Sequence, residues 1–413
     1  VFMRQAEPPV SYGYPKEKCE AHMNHRYQFS FLLILISFTG LATAKAPFIN
    51  PADDANHFGA PQNILFWTPE QQVAGYRNMD RIYPTRRIAA SPTPMELPYR
   101  KVDLGGVKLA AGDVSMTLDE YFERQNVAGL LVIKDGHIAY ERYGLGNTED
   151  SRWISFSVTK SVVSMLVGAA VRDGFIDNVD ETVSDYLPRL KGTPYDDSSI
   201  RNILQMASGV EWDETYADPD SDVNRATYQT MALYDYLAQK PRAAAPGGQF
   251  NYNTAETNLV GTLLRSAVGN NLSTYLEQKI WQPFGMEADA YWTLTEPGGG
   301  EFGGCCISAT LRDFGRLGLF ALTKGMLGDT SVMADGWMEA STTPSPAYDG
   351  YGYLWWLSGD GSYRATGIFG QGICIHPEEN VVIALQSARS VASAKQDWAL
   401  QGALCHAAAK HLR

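Results

Sequence analysis
The chain has 413 residues, 45% hydrophobic and 11% aromatic, which is enough for one large core or two sub-domains and too apolar for a disordered chain. Its formal net charge is −12 and its Lys and Arg residues form no cluster, which excludes a phosphate-binding surface and hence nucleic acid as a partner.

In chain order, Met23-Asn24-His25-Arg26 supplies a short basic start, residues 29–41 an apolar run, and Ala42-Thr43-Ala44 a small-x-small cleavage signal. Residues 1–44 therefore read as leader and signal peptide, with residues before Met23 upstream of the true start. The run falls short of the roughly 20 residues that cross a bilayer, and no lipid-attachment cysteine follows it. A periplasmic or secreted protein with no stable membrane anchor after cleavage is expected. Residues 45–116 are Pro-rich and read as an irregular extension that wraps the body. Thr117-Leu118-Asp119-Glu120 is a capping box opening a short helix. Two apolar runs, 127–133 and 137–143, split by Asp135-Gly136, predict a β-hairpin.

Next comes a buried helix beginning at Val158. Val158, Val162, Leu166 and Ala170 recur at helical spacing, and Gly174 marks its end. At its head Ser157 and Lys160 stand three apart, so one turn sets the hydroxyl beside the amine. A serine is a poor nucleophile until an adjacent base takes its proton, and a desolvated lysine serves as such a base. The spacing occurs once in the chain, at the mouth of an apolar helix, where a capping serine with a snorkelling lysine is the competing structural reading.

Helical patterns and loops dominate residues 179–298. Residues 198–207 read as a helix, as do 308–322, with Thr310 and Asp313 as its cap. Strands return at 352–357, 372–375 and 381–386, before a closing helix over 392–411. Strands at both ends and helices between them indicate an α+β fold, an antiparallel sheet flanked by helices with an inserted all-helical lobe. Residues 117–185 plus 300–413 form the α/β lobe and 186–299 the all-α lobe, with the site expected between them.

Further features bound the chemistry. Cys305, Cys306, Cys374 and Cys405 follow the leader's Cys19, and their pairing is not readable from spacing. No paired Cys/His set points to zinc, so no metal and no organic cofactor is expected. His57, His137, His376, His406 and His411 sit in no catalytic context, and Gly-x-Ser-x-Gly is absent. Residues 298–303 match Gly-x-Gly-x-x-Gly, but no strand precedes them and no helix follows, so a nucleotide role is rejected. The acidic run 211–222 lacks the Gly and Glu of a calcium loop. It reads as a solvated loop overhanging the cleft and favouring substrates with an ammonium group.

Five ordered blocks then become recognisable: Ser157-Val158-Thr159-Lys160, Leu204-Gln205-Met206-Ala207-Ser208-Gly209, Pro246 through Thr254 with Tyr252-Asn253-Thr254, residues 304–314, and Ala365-Thr366-Gly367-Ile368. Over about residues 117–413 the chain resembles the serine β-lactamase and penicillin-recognising superfamily, in its class C-like branch of β-lactamase-type esterases and 6-aminohexanoate-dimer hydrolases. The resemblance implies a β-lactamase/transpeptidase-like fold. Ser157 resembles the acylated nucleophile, Lys160 its base partner and Tyr252 the proton-relaying tyrosine. Gly367 and Ile368 resemble the strand opposite, with the Ile368 and Ser157 amides forming an oxyanion hole. Tyr216 falls where the nylon-oligomer hydrolases keep a substrate-contacting tyrosine. Thr254 replaces the asparagine of class C β-lactamases. Ala365 replaces the lysine or histidine that meets a β-lactam's carboxylate, with Arg364 next to it as a partial substitute. Both departures favour a small-molecule ester or amide substrate over an antibiotic. A β-lactamase or D-Ala-D-Ala carboxypeptidase, and a non-catalytic sensor domain, are the competing classes.

Overall fold
The computed structural model describes residues 49–413, so the leader and signal-peptide assignment lies outside the described residues. In chain order the elements that position the site are strands β1 (Thr85–Ile88), β2 (Val127–Lys134), β3 (His137–Tyr143) and β4 (Arg152–Ile154), helices α1 (Val158–Arg172) and α2 (Thr254–Val268), strands β5 (Ala290–Thr293) and β6 (Ile307–Thr310), helix α3 (Leu311–Leu322), strands β7 (Trp356–Leu357), β8 (Tyr363–Thr366), β9 (Gly372–His376) and β10 (Val381–Ser387), and helix α4 (Lys395–His411).

Six strands form one antiparallel sheet in the order β7-β8-β9-β10-β2-β3. Its strands are apolar on both faces because both are covered. Alternation sends Leu131, Ile133, Ile373, Ile375, Val382 and Ala384 into the core shared with α1, α2 and α3. Leu130, Val132, Cys374, Val381, Ile383 and Leu385 face a second core under α4. Helix α3 lies close on the sheet through Gly315, where a Cβ would stand 2.7 Å from Leu131 Cδ2. The protein is thus an α+β fold, a covered antiparallel sheet with helices packed against it.

A second, four-stranded antiparallel sheet, β1-β5-β6-β4, sits behind the site. It delivers Ser157 from the end of β4 and Gly304 from the approach to β6, with Ile154 opposite Ser308.

Several sequence expectations need correction. Residues 49–116 are not irregular. They hold helix Pro69–Arg77, opened by a Thr68/Gln71 capping box, then β1, then the hairpin Lys108–Ala111/Val114–Thr117. Pro69 occupies a first-turn position, where it favours a helix rather than breaking it. The helix expected over 198–207 is one short turn, Ile200–Leu204. Thr310 caps a helix as expected, accepting from the Asp313 amide, but Ile307–Thr310 ahead of it is a strand. The strand at 352–357 contracts to Trp356–Leu357, because Leu354 adopts a left-handed φ of 61° and Gly352 bonds back to Trp355. The closing helix begins at Lys395, not at 392. The region read as helical also contains β5. Residues 298–303 close a turn in which Leu294 pairs with Glu301, whose buried carboxylate accepts from the Leu272 and Ser273 amides. Cys374 pairs with Cys405, linking β9 to α4. Among the described residues no helix is long and apolar enough to cross a membrane.

Candidate active site
Between β4 and α1 the backbone turns sharply. Phe156 has φ 45°, a left-handed conformation that costs a non-glycine residue of order 1–3 kcal/mol. The turn is held by packing: the Phe156 ring lies 5.2 Å from both Tyr76 and Phe369. Ser157 follows at the N-cap position, yet its side chain makes no capping hydrogen bond. The neighbouring hydroxyls of Ser155 and Thr159 tie the turn to β6, both accepting from the Ile307 amide. The Ser157 hydroxyl is therefore not a cap.

Lys160, on the next turn of α1, does not snorkel; it is 1% exposed. Its Nζ stands 3.0 Å from Ser157 Oγ, 3.1 Å from Thr254 Oγ1 and 2.7 Å from the Gly304 carbonyl. Burial pulls its pKa down from the usual lysine value to about 7, against an opposing pull from the Glu214 carboxylate. No carboxylate forms an ion pair with it among the described residues.

Tyr252 lies on the loop entering α2. Its ring stacks on Trp356 at 5.6 Å, and burial raises its pKa well above the usual tyrosine value, against an opposing pull from the Ser157 hydroxyl. The ring centroid is 5.3 Å from Lys160 Nζ. Serine, lysine and tyrosine are thus brought together from two separate stretches of sequence.

Tyr216 joins them from the acidic run, in a way the sequence did not show. Its hydroxyl donates to Glu214 Oε1 at 2.7 Å. The same carboxylate accepts from Trp212 Nε1, from the Thr254 amide at 3.1 Å and from the Thr254 hydroxyl. Of the run's acidic residues, Glu214 alone lines the cleft, and Asp222 is bound by Lys240. The run offers the cleft no free carboxylate for an ammonium group. Glu214 was missed because its partner Thr254 is 40 residues away, and Gly304 because it acts through a carbonyl that any residue carries.

The end of β8 forms the opposite wall. Gly367 is required there, because a Cβ would stand 2.5 Å from the Ser155 carbonyl. Neither the Ser157 amide nor the Ile368 amide donates to a protein acceptor among the described residues. The pleat sends Ala365 into the core while Arg364, Thr366 and Ile368 line the cleft. The Thr366 hydroxyl is buried without a partner. The cleft, about 590 Å³, is walled largely by Tyr216, Tyr252, Tyr348, Trp356 and Trp398. Among the described residues no group of three or more His, Cys, Asp or Glu side chains is placed to hold a metal ion.

Residues 117–405 match the profile of the β-lactamase family, Beta-lactamase. The chain belongs to the β-lactamase family. Within that family it is 27% identical over 340 residues to the 6-aminohexanoate-dimer hydrolase of Paenarthrobacter ureafaciens, covering 76% of this chain and 84% of the relative. It is 27% identical over 186 residues to a β-lactamase of Pseudomonas fluorescens, covering 42% and 49% respectively. A solved structure from Bacillus anthracis, named as a 6-aminohexanoate-dimer hydrolase, superposes with a TM-score of 0.74 at 22% identity, covering 83% of this chain and 94% of that one. The β-lactamase-family fold is therefore shown by sequence and structure together, and the relatives it matches are named as hydrolases.

Proposed function
We propose that the protein is a serine hydrolase cleaving an ester or amide bond of a small molecule through an acyl-enzyme on Ser157. One observation supports this above the others: a buried amine with a pKa near 7 lies 3.0 Å from a serine hydroxyl that has no structural task. In the neutral form Lys160 takes the Ser157 proton as Oγ attacks the carbonyl carbon. The developing oxyanion is received by the free Ser157 and Ile368 amides. Tyr252, held neutral by its high pKa, passes a proton to the departing oxygen or nitrogen. Water entering along the leaving group's path then attacks the acyl carbonyl, giving one proton to the Tyr252 oxygen, and Lys160 returns its proton to Ser157 Oγ as the acid departs.

The length matched by the dimer hydrolase and the aromatic walls favour a linear amide or ester over a β-lactam. Action outside the cytosol, as a periplasmic or secreted enzyme, is part of the same proposal and agrees with the Cys374–Cys405 disulfide.

Turnover of short-chain nitrophenyl esters, the 6-aminohexanoate dimer and nitrocefin by wild type and Ser157→Ala tests the reading. The first two are expected to be cleaved, with a loss of about a thousandfold or more in Ser157→Ala. The amine must be unprotonated to act, so kcat/KM should rise with pH through an acid limb near 7. Turnover of nitrocefin alone would make the protein a β-lactamase, and no Ser157-dependent turnover of any of the three would leave a binding domain.

A further inference from the structure
The hydrogen atoms around Lys160 have little freedom. A neutral amine has two N–H groups and one lone pair, and three protein oxygens surround this one. Gly304 offers a carbonyl, which only accepts, so it takes one N–H. Ser157 and Thr254 offer hydroxyls, either of which could face the amine with its hydrogen or with its oxygen. If Thr254 pointed its hydrogen at Lys160, the lone pair would be spent on the wrong alcohol. What prevents this is Glu214. Its carboxylate accepts the Thr254 hydroxyl hydrogen, leaving only the Thr254 oxygen toward Lys160. The second N–H goes there, and the lone pair is left for Ser157.

We propose that Glu214 is a positioning residue, whose carboxylate fixes the direction of the Thr254 hydroxyl and so reserves the Lys160 lone pair for the Ser157 proton. The inference rests on the reading of Ser157 and Lys160 given above. Four donors converge on Glu214. Trp212 Nε1 and the Thr254 amide point at Oε2, and the Tyr216 and Thr254 hydroxyls point at Oε1. An indole N–H and a backbone N–H cannot become acceptors, whereas hydroxyls can turn. A glutamine at 214 must therefore place its carbonyl oxygen at the Oε2 position and its NH₂ against the two hydroxyls. The Thr254 hydroxyl then accepts from the glutamine and turns its hydrogen to Lys160. The isosteric change thus reverses the bonds of both hydroxyls to residue 214, and of the two only Thr254 also faces Lys160.

The experiment compares ester turnover by wild type, Glu214→Gln, Thr254→Val, Thr254→Ser and the combinations of Glu214→Gln with each threonine variant, with the Tm of each measured alongside. Glu214→Gln is expected to lower kcat by at least about tenfold with KM within about twofold, out of the roughly 10²–10⁴-fold a positioned base contributes. The loss should recur in the Thr254→Ser background, which keeps a hydroxyl, and vanish in Thr254→Val, which has none to reverse. Removing the negative charge near Lys160 should also move the acid limb of kcat/KM to lower pH. Glu214→Gln activity within twofold of wild type, or losses that multiply with Thr254→Val, would overturn the proposal while leaving the hydrolase reading intact. Absence of Ser157-dependent turnover in wild type would overturn both.

Discussion

Arg364 sits in the cleft wall with its guanidinium bonded only to Ser358 Oγ, at 3.1 Å, and no carboxylate pairs with it among the described residues. Burial lowers its pKa, so its charge is held at some expense and is open to a partner. Since Glu214 is saturated by protein donors, the cleft should prefer a substrate with a carboxylate over one with an ammonium group. Arg364→Ala is expected to raise KM about tenfold or more for a carboxylate-bearing amide, the loss of a charge-assisted bond of roughly 1.5–3 kcal/mol, and to leave a neutral ester within about twofold. Equal effects on both substrates would assign Arg364 to packing alone. At this scale the sequence was informative where chemistry follows residue type. Ser157, Lys160 and Tyr252 were legible because a short spacing and a recurring motif name them. The Glu214 contacts and the Gly304 carbonyl were not, since a loop carboxylate and a main-chain oxygen carry no periodic or compositional signature.

Helices and strands with a strong apolar pattern were placed within a few residues. Helix α1 and the β2–β3 hairpin owe this to runs that are buried on one or both sides. Strand β1 escaped notice because Thr85-Arg86-Arg87-Ile88 has a single buried apolar residue, and its pairing with β5 supplies what its own sequence lacks. Helix α2 carries a less visible strain. Glu256, on its first turn, is 1% exposed, accepts from Ser208 and, at 3.3 Å, from Tyr195, and leaves Oε2 without a partner. Burial raises its pKa to about 8 from an unfolded value near 4.5. A raised acid pKa stabilises the fold fully below the unfolded value, and that contribution disappears as pH climbs through about 8. Melting curves from pH 5 to 9 should therefore show wild type losing at least about 2 °C more than Glu256→Gln, which stays neutral throughout. Parallel curves for the two proteins would mean that Glu256 is already ionised at pH 5.

Across the whole molecule, two cores share one sheet, and the Cys374–Cys405 bridge fastens α4 over the face turned away from α1. Closing a loop of 31 residues, it is expected to contribute about 2–4 kcal/mol. Urea titration of the Cys374→Ala/Cys405→Ala double variant should show that loss, with kcat within about twofold of wild type. A kcat that falls with the midpoint would mean that α4, through Trp398, sets the shape of the cleft.

The stretch that matches the family starts at residue 117, but the folded unit does not. Tyr76 braces the turn that leads into Ser157, Arg77 is locked to Asp53 in a buried ion pair, and β1 shields the outer margin of β5. A recombinant fragment trimmed to the matching residues would expose a raw strand to neighbouring copies and invite precipitation. Anyone producing this enzyme for assay should therefore set the cloning boundary ahead of Asp53.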